Sequence, residues 1–176
     1  MTDGGCISIR PYVPGDAAAL HAAVVESASD AHRWLPWCRP GYTFEEARGW
    51  VERQVENFEV GEELHFAVVD GDAYLGGCGL SRIDPLHRIA NLGYWVRTAA
   101  VGRGVATSAV RALVRYAFAE TALERLEVLC ALDNVASQRV AERAGAVREG
   151  VLRKRLYLHG EAQDAVVYSL VRPDDS

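Results

Sequence analysis

Closely spaced cysteines are missing from this 176-residue chain. Its four cysteines, Cys6, Cys38, Cys78 and Cys130, form no C-x-x-C pair. That removes the usual zinc and dithiol readings, and no metal site is expected. Two of the four lie in apolar, strand-like runs, which points to buried thiols. An excess of positive charge is also missing. The formal net charge is −5, which argues against a nucleic-acid surface. No apolar stretch reaches the ~20 residues that cross a bilayer, so no membrane partner is expected. The first residues lack a basic segment followed by an apolar run, so no secretory leader is read and a cytoplasmic protein is expected. There is no internal repeat, low-complexity segment or linker. With 49% hydrophobic and 24% charged residues, residues 1–176 read as one domain with a sizeable core.

The most informative stretch is Asn91 to Glu120. It reads as a strand (Asn91 to Arg97), a turn (Thr98 to Gly104) and a long helix (Val105 to Glu120). The turn residues Val101, Gly102, Arg103, Gly104, Val105, Ala106 and Thr107 carry the signal. Gly102 and Gly104 allow positive φ and close approach of a ligand. The helix behind them presents unpaired N–H groups and the positive end of its dipole, a site for phosphate or pyrophosphate. A Walker loop is excluded because no Gly-Lys-Ser/Thr follows. A dinucleotide fingerprint lacks its third small residue, since Thr107 stands there.

The remaining chain alternates strands and helices. Cys6 to Val13 alternates in polarity and reads as a strand. Asp16 reads as the N-cap of a helix to about Ser29, with Ala17, Leu20, Val24 and Ala28 on one face. Asp30 to Tyr42 is a fixed irregular loop whose Trp34 and Trp37 either wall a substrate pocket or cap the core. Thr43 and Glu46 form a capping box opening a helix to about Glu59. Strands follow at Glu63 to Val69 and Ala73 to Ile83, where Gly76, Gly77 and Gly79 suggest a bulge or a close neighbour. Leu126 to Leu132 is a strand. A helix then runs from about Val135 to Ala144 and ends at Gly145. Val147 to Leu158 and Ala165 to Val171 are two more strands.

Val101 to Ala106 resembles the pyrophosphate loop R/Q-x-x-G-x-G/A of the GNAT family of acetyl-coenzyme A-dependent N-acetyltransferases, with Val101 in place of the usual Arg or Gln. The run Asn134 to Arg153 resembles N-x-x-S-x-x-V-x-x-x-x-G-x-x-x-E-G-x-L-R of the RimJ/RimL type, which acetylates ribosomal-protein N-termini. Gly93-Tyr94-Trp95-Val96 and Trp34-Leu35-Pro36-Trp37 extend the likeness over nearly the whole chain. The resemblance implies the GNAT fold: an α/β (α+β) protein with a mixed, mostly antiparallel sheet of about seven strands, helices on both faces, and strands four and five splayed apart. It implies acetyl-CoA as co-substrate and a primary amine as acceptor. Val96, Arg97 and Thr98 are expected to meet the pantetheine arm through backbone groups. Val101 to Thr107 are expected to hold the pyrophosphate, Asn134 to contact the pantetheine, and Ser137 to stabilise or protonate the departing thiolate. A free amide near Trp95 or Val96 is expected to stabilise the oxyanion. Related proteins are often dimers, so a homodimer is an expectation carried by the resemblance alone.

An amine must be neutral to attack. An α-amine of pKa ~8 is neutral in roughly a tenth to a fifth of molecules at pH 7, and a lysine of pKa ~10.4 in fewer than about one in a thousand. A site without a strong base therefore suits an α-amine. Some relatives place a glutamate in the strand after E-G-x-L-R; here Arg153 to Tyr157 has no carboxylate. His65, His87, His159 and Glu149 are candidates for the base by residue type only. The missing glutamate also supports a second reading, a non-catalytic acyl-CoA-binding sensor or interaction module.

Overall fold

The computed structural model describes residues 7–174. Cys6, expected in the first strand, lies outside them. The elements are β1 (Ile7–Pro11), α1 (Ala17–Ala31), α2 (Phe44–Val60), β2 (Leu64–Asp70), β3 (Ala73–Asp84), β4 (Ile89–Val96), α3 (Val105–Glu120), β5 (Arg125–Ala131), α4 (Val135–Ala144), β6 (Val147–Leu158) and β7 (Glu161–Val171). Short 3₁₀ turns at Pro14–Asp16 and Thr98–Ala100 connect them. The expected mixed, mostly antiparallel seven-stranded sheet is present, in the order β1-β2-β3-β4-β5-β7-β6.

Only β4 and β5 run parallel, and they pair over three residues, Ile89 with Arg125, Ala90 with Leu126 and Asn91 with Glu127. Beyond Asn91 the two strands part, while β4 stays on β3 to Val96 and β5 stays on β7 to Ala131. This is the expected splay. Two apolar layers flank the sheet. Strand alternation sends Phe66 and Val68 to one face, where α3 and α4 bury Val105, Val110, Leu113 and Ala141 against Leu92, Leu126 and Tyr168. It sends Ala67 and Val69 to the other face, under Leu20, Val24, Ala47 and Val51 of α1 and α2. The glycines of β3 mark a real irregularity: the register with β2 shifts between Val68 and Val69, opposite Gly76 and Tyr74.

Local chemistry explains most helix ends. Thr43 accepts the N–H of Glu46 (3.2 Å), and Glu46 accepts the N–H of Thr43 (2.8 Å), closing the capping box of α2. Asp16 departs from its expected role. It precedes α1 but makes no side-chain cap there. Its carboxylate instead accepts the N–H of Val13 (2.9 Å) and both ends of the Arg10 guanidinium (2.7 Å each), so the charge pair with Arg10 outcompeted the simple cap.

Candidate active site

Two clefts meet at the C-terminal half of β4. The first, of about 530 Å³, runs on the α3/α4 side and into the splay. It is lined by the turn residues Val101, Gly102 and Gly104, by Val105, Ala106 and Thr107 of α3, and by Asn134 and Ser137 of α4. The second, of about 560 Å³, is lined by Tyr12, Trp37, Tyr42, Trp50, His65 and Trp95 among others. Leu35, Gly93, Tyr94 and Trp95 line both, so β4 is the wall through which they connect.

The turn before α3 has the geometry of an anion cradle. Gly102 and Gly104 both hold positive φ, +80° and +76°, with open space where a Cβ would sit. Among the described residues, the amides of Gly102, Arg103, Gly104, Val105, Ala106 and Thr107 meet no protein acceptor, and the first helical bond is Ser108 N–H to Gly104 O (3.0 Å). Six bare donors at the mouth of a 16-residue helix suit a diphosphate. The side chain of Arg103 is exposed and does not line the cleft.

The residues just upstream are held by the protein itself. Arg97 donates its N–H to Leu75 O (2.9 Å), and Thr98 donates its own to Ser27 Oγ (3.0 Å). Their carbonyls accept from Ala100 and Val101. Ala99 N–H binds Glu26 Oε1 (2.9 Å), and the Arg97 guanidinium pairs with Glu26. Arg97 and Thr98 therefore bolt the turn to α1, and their N–H groups are engaged within the protein. The Arg97 bond also fixes the parity of β4. Hydrogen bonding to β3 alternates along an antiparallel strand, so the N–H groups of Tyr94 and Val96 point away from β3 into the gap, and that of Trp95 points toward it.

Ser137 and Asn134 lie together at the start of α4. Asn134 Oδ1 accepts the N–H of Ser137 (3.1 Å), capping the helix. The residue that motif reading missed is Tyr94. Its hydroxyl donates to Ser137 O (2.8 Å) and lies 2.9 Å from Ser137 Oγ, which also receives the Cys130 thiol (3.2 Å). Burial pushes the Tyr94 phenol well above its ordinary value and raises the Cys130 thiol, so both are neutral donors near pH 7. The signal was present in Gly93-Tyr94-Trp95-Val96: neighbours on a strand face opposite ways, so a tyrosine beside a tryptophan there must face the other cleft.

The two candidate pocket tryptophans do not share a cavity. Trp34 lines the first cleft, with the Arg33 guanidinium 4.4 Å over its ring. Trp37 lines the second and meets Trp95 edge-on at 5.3 Å. Of the residues considered as a base, only His65 lines either cleft. Glu149 is held by Arg125 and by Ser169 (2.6 Å), which lower its pKa to about 2. His159 bonds the carbonyl of His32 (2.9 Å) and lines neither cleft. Among the described residues, no group of three or more His, Cys, Asp or Glu could hold a metal ion.

A family model described as an acetyltransferase (GNAT) domain matches residues 7–147. This chain belongs to the GNAT acetyltransferase family. It is 31% identical over 170 residues to the Bacillus subtilis protein named "Putative ribosomal N-acetyltransferase YdaF", covering 94% of this chain and 91% of that one. It is 26% identical over 152 residues to the ribosomal-protein-serine acetyltransferase of Escherichia coli, covering 86% and 85%. Among solved structures, RimL, a ribosomal L7/L12 alpha-N-protein acetyltransferase in complex with coenzyme A, superposes with a TM-score of 0.88 over 97% of this chain and 96% of that one, at 23% identity. The GNAT assignment makes the chain an N-acetyltransferase and accounts for the sheet order and the splay together. No helix among the described residues is long and apolar enough to cross a membrane.

Proposed function

We propose that this GNAT enzyme transfers the acetyl group of acetyl-CoA to a primary amine, with a protein N-terminal α-amine of the ribosomal-protein type as the acceptor. The observation that carries the reading is the row of bare amides from Gly102 to Thr107, opening into a cleft that reaches the Tyr94–Ser137 hydroxyl pair. The names of the relatives support the acceptor class.

In this reading the Gly102–Thr107 amides and the dipole of α3 bind the diphosphate. Asn134, at the mouth of α4, faces the pantetheine. The Val96 amide, turned into the gap, donates to the thioester carbonyl as charge develops on its oxygen, a contribution of roughly 10²–10³ in rate when one such donor is lost elsewhere. Tyr94 and Ser137 supply the proton that the thiolate takes on leaving. The acceptor enters from the α1/α2 side, through the cleft lined by Trp37, Trp50 and Trp95. No metal enters any step. The enzyme acts in the cytoplasm, where acetyl-CoA and newly made ribosomal proteins meet.

The test has two stages. Acetyl-CoA near a millimolar should protect the protein from heat. Free-thiol release should then follow with N-terminal peptides rather than with polyamines or aminoglycosides. Protection without turnover on any amine favours the sensor reading, and absence of protection contradicts both.

A further inference from the structure

His65 on β2, Gly79 on β3 and Gly93 on β4 stand side by side across the sheet: His65 pairs with Gly79, and Gly79 with Gly93. The two glycines put no side chain of their own between the imidazole and the splay, and the space over Gly93 is open. The His65 ring lies over the first of them, so close that a Cβ on Gly79 would sit 2.3 Å from Nδ1. Among the described residues, Nδ1 has no hydrogen-bond partner. The other ring nitrogen, Nε2, lies 3.3 Å from Glu63 Oε2. Trp50 packs edge-on against the ring at 5.7 Å. A carboxylate beside Nε2 favours the tautomer that carries its proton there, and this leaves the lone pair on Nδ1, over the glycines.

Resting on the acetyltransferase reading, we infer that His65, oriented by Glu63, takes the proton from the acceptor amine on the α1/α2 side of β4. The bound ammonium gives one proton to Nδ1, and the imidazolium is held beside the Glu63 carboxylate. The nitrogen lone pair forms the C–N bond, and the C–S bond breaks. Tyr94 and Ser137, on the opposite face, hand a proton to the thiolate. The second nitrogen proton, lost as the amide forms, replaces it. His65 returns its own proton to solvent when product leaves. Proton removal and proton supply thus occupy opposite faces of one sheet.

The surroundings keep the imidazole neutral at rest. Burial lowers its pKa, while Glu63 opposes the shift. Apart from Arg53, the other titratable groups lining the cleft are tied elsewhere or uncharged. Tyr12 bonds Tyr74 (2.8 Å), Glu45 pairs with Arg48, and Glu46 serves the Thr43 cap and Arg39. Burial holds Cys78 protonated, with its pKa raised to about 12. Arg53 adds a cation to the lining.

The test is the pH dependence of kcat at saturating acceptor. In the native enzyme the acidic limb should have its midpoint below the ordinary histidine value near 6.5. In His65→Gln the limb should move to the amine's own pKa, ~8 for an α-amine. At pH 7 kcat should fall ~10²-fold, the low end for loss of a general base, and acetyl-CoA should still protect the variant from heat. Glu63→Gln should shift the limb to lower pH with a smaller loss. Coincident profiles for native enzyme and His65→Gln would overturn the inference. Failed protection of the native protein would instead sink the acetyltransferase reading. If His65→Gln does not fold, or no amine is turned over, NMR titration of the His65 ring decides: a midpoint below 6.5 that falls further in Glu63→Gln supports the dyad, and one at or above 6.5 removes it.

Discussion

Tyr94 and Trp95 are neighbours on β4, and their side chains leave the strand on opposite faces. Tyr94 reaches Ser137 under α4, and Trp95 meets Trp37 and Tyr74 under α1. In the proposed reaction this one dipeptide separates the thiolate side from the amine side. Replacing Tyr94 by Phe removes the hydroxyl and little else. In Tyr94→Phe kcat should fall by ~10²-fold, with the KM for acetyl-CoA changed by less than about threefold, because the diphosphate cradle is untouched; steady-state kinetics with both substrates checks this. Ser137 and Asn134 were legible from the sequence because they sit three apart at a helix start. Tyr94 was not, because its partner lies 43 residues away and only the fold joins them. His65 was visible only as a residue type, one of several, until β3 and β4 placed two glycines beside it.

At the scale of elements, helix ends carry signals that two or three adjacent residues complete. The Thr43–Glu46 box is such a signal, and it formed as read. Thr43→Ala should cost ~1 kcal/mol and lower Tm by about 2–4 °C for a chain of this size, measured by thermal melting. The start of α1 was misread because Arg10, six residues from Asp16, claims the same carboxylate. The seam of β5, β6 and β7 offers a pH test. Arg125 binds Glu127 on its own strand and Glu149 on β6, and Glu149 also accepts from Ser169 on β7. The folded pKa of Glu149 is depressed from 4.5 to about 2. Its contribution is therefore complete above pH 4.5 and is lost as pH falls toward about 2. Native Tm should fall more steeply across that window than the Tm of Glu149→Gln, and equal slopes would contradict the assignment.

For the whole molecule, the strand and helix order was readable from periodicity, and the splay followed from the family likeness. The cleft beside the glycine turn, proposed for the coenzyme, was legible because its loop, helix and Asn134–Ser137 motif are local in sequence. The acceptor cleft was not. Tyr12, Tyr42, Trp50, His65 and Trp95 come from three elements and two connecting loops, and no spacing in the chain connects them. That also explains why Trp34 and Trp37, three residues apart, fall on different sides of Leu35 and in different clefts. Arg97 and Thr98 fit the family pattern by position, yet Ser27 and Glu26 of α1 fix the chain there.

The most direct test of the account is a crystal structure of the protein with acetyl-CoA. The account predicts diphosphate oxygens within ~2.7–3.2 Å of amide nitrogens between Gly102 and Thr107, and the thioester carbonyl in the gap beside Val96. A coenzyme bound with its diphosphate elsewhere, or a thioester outside the space between β4 and β5, would contradict it.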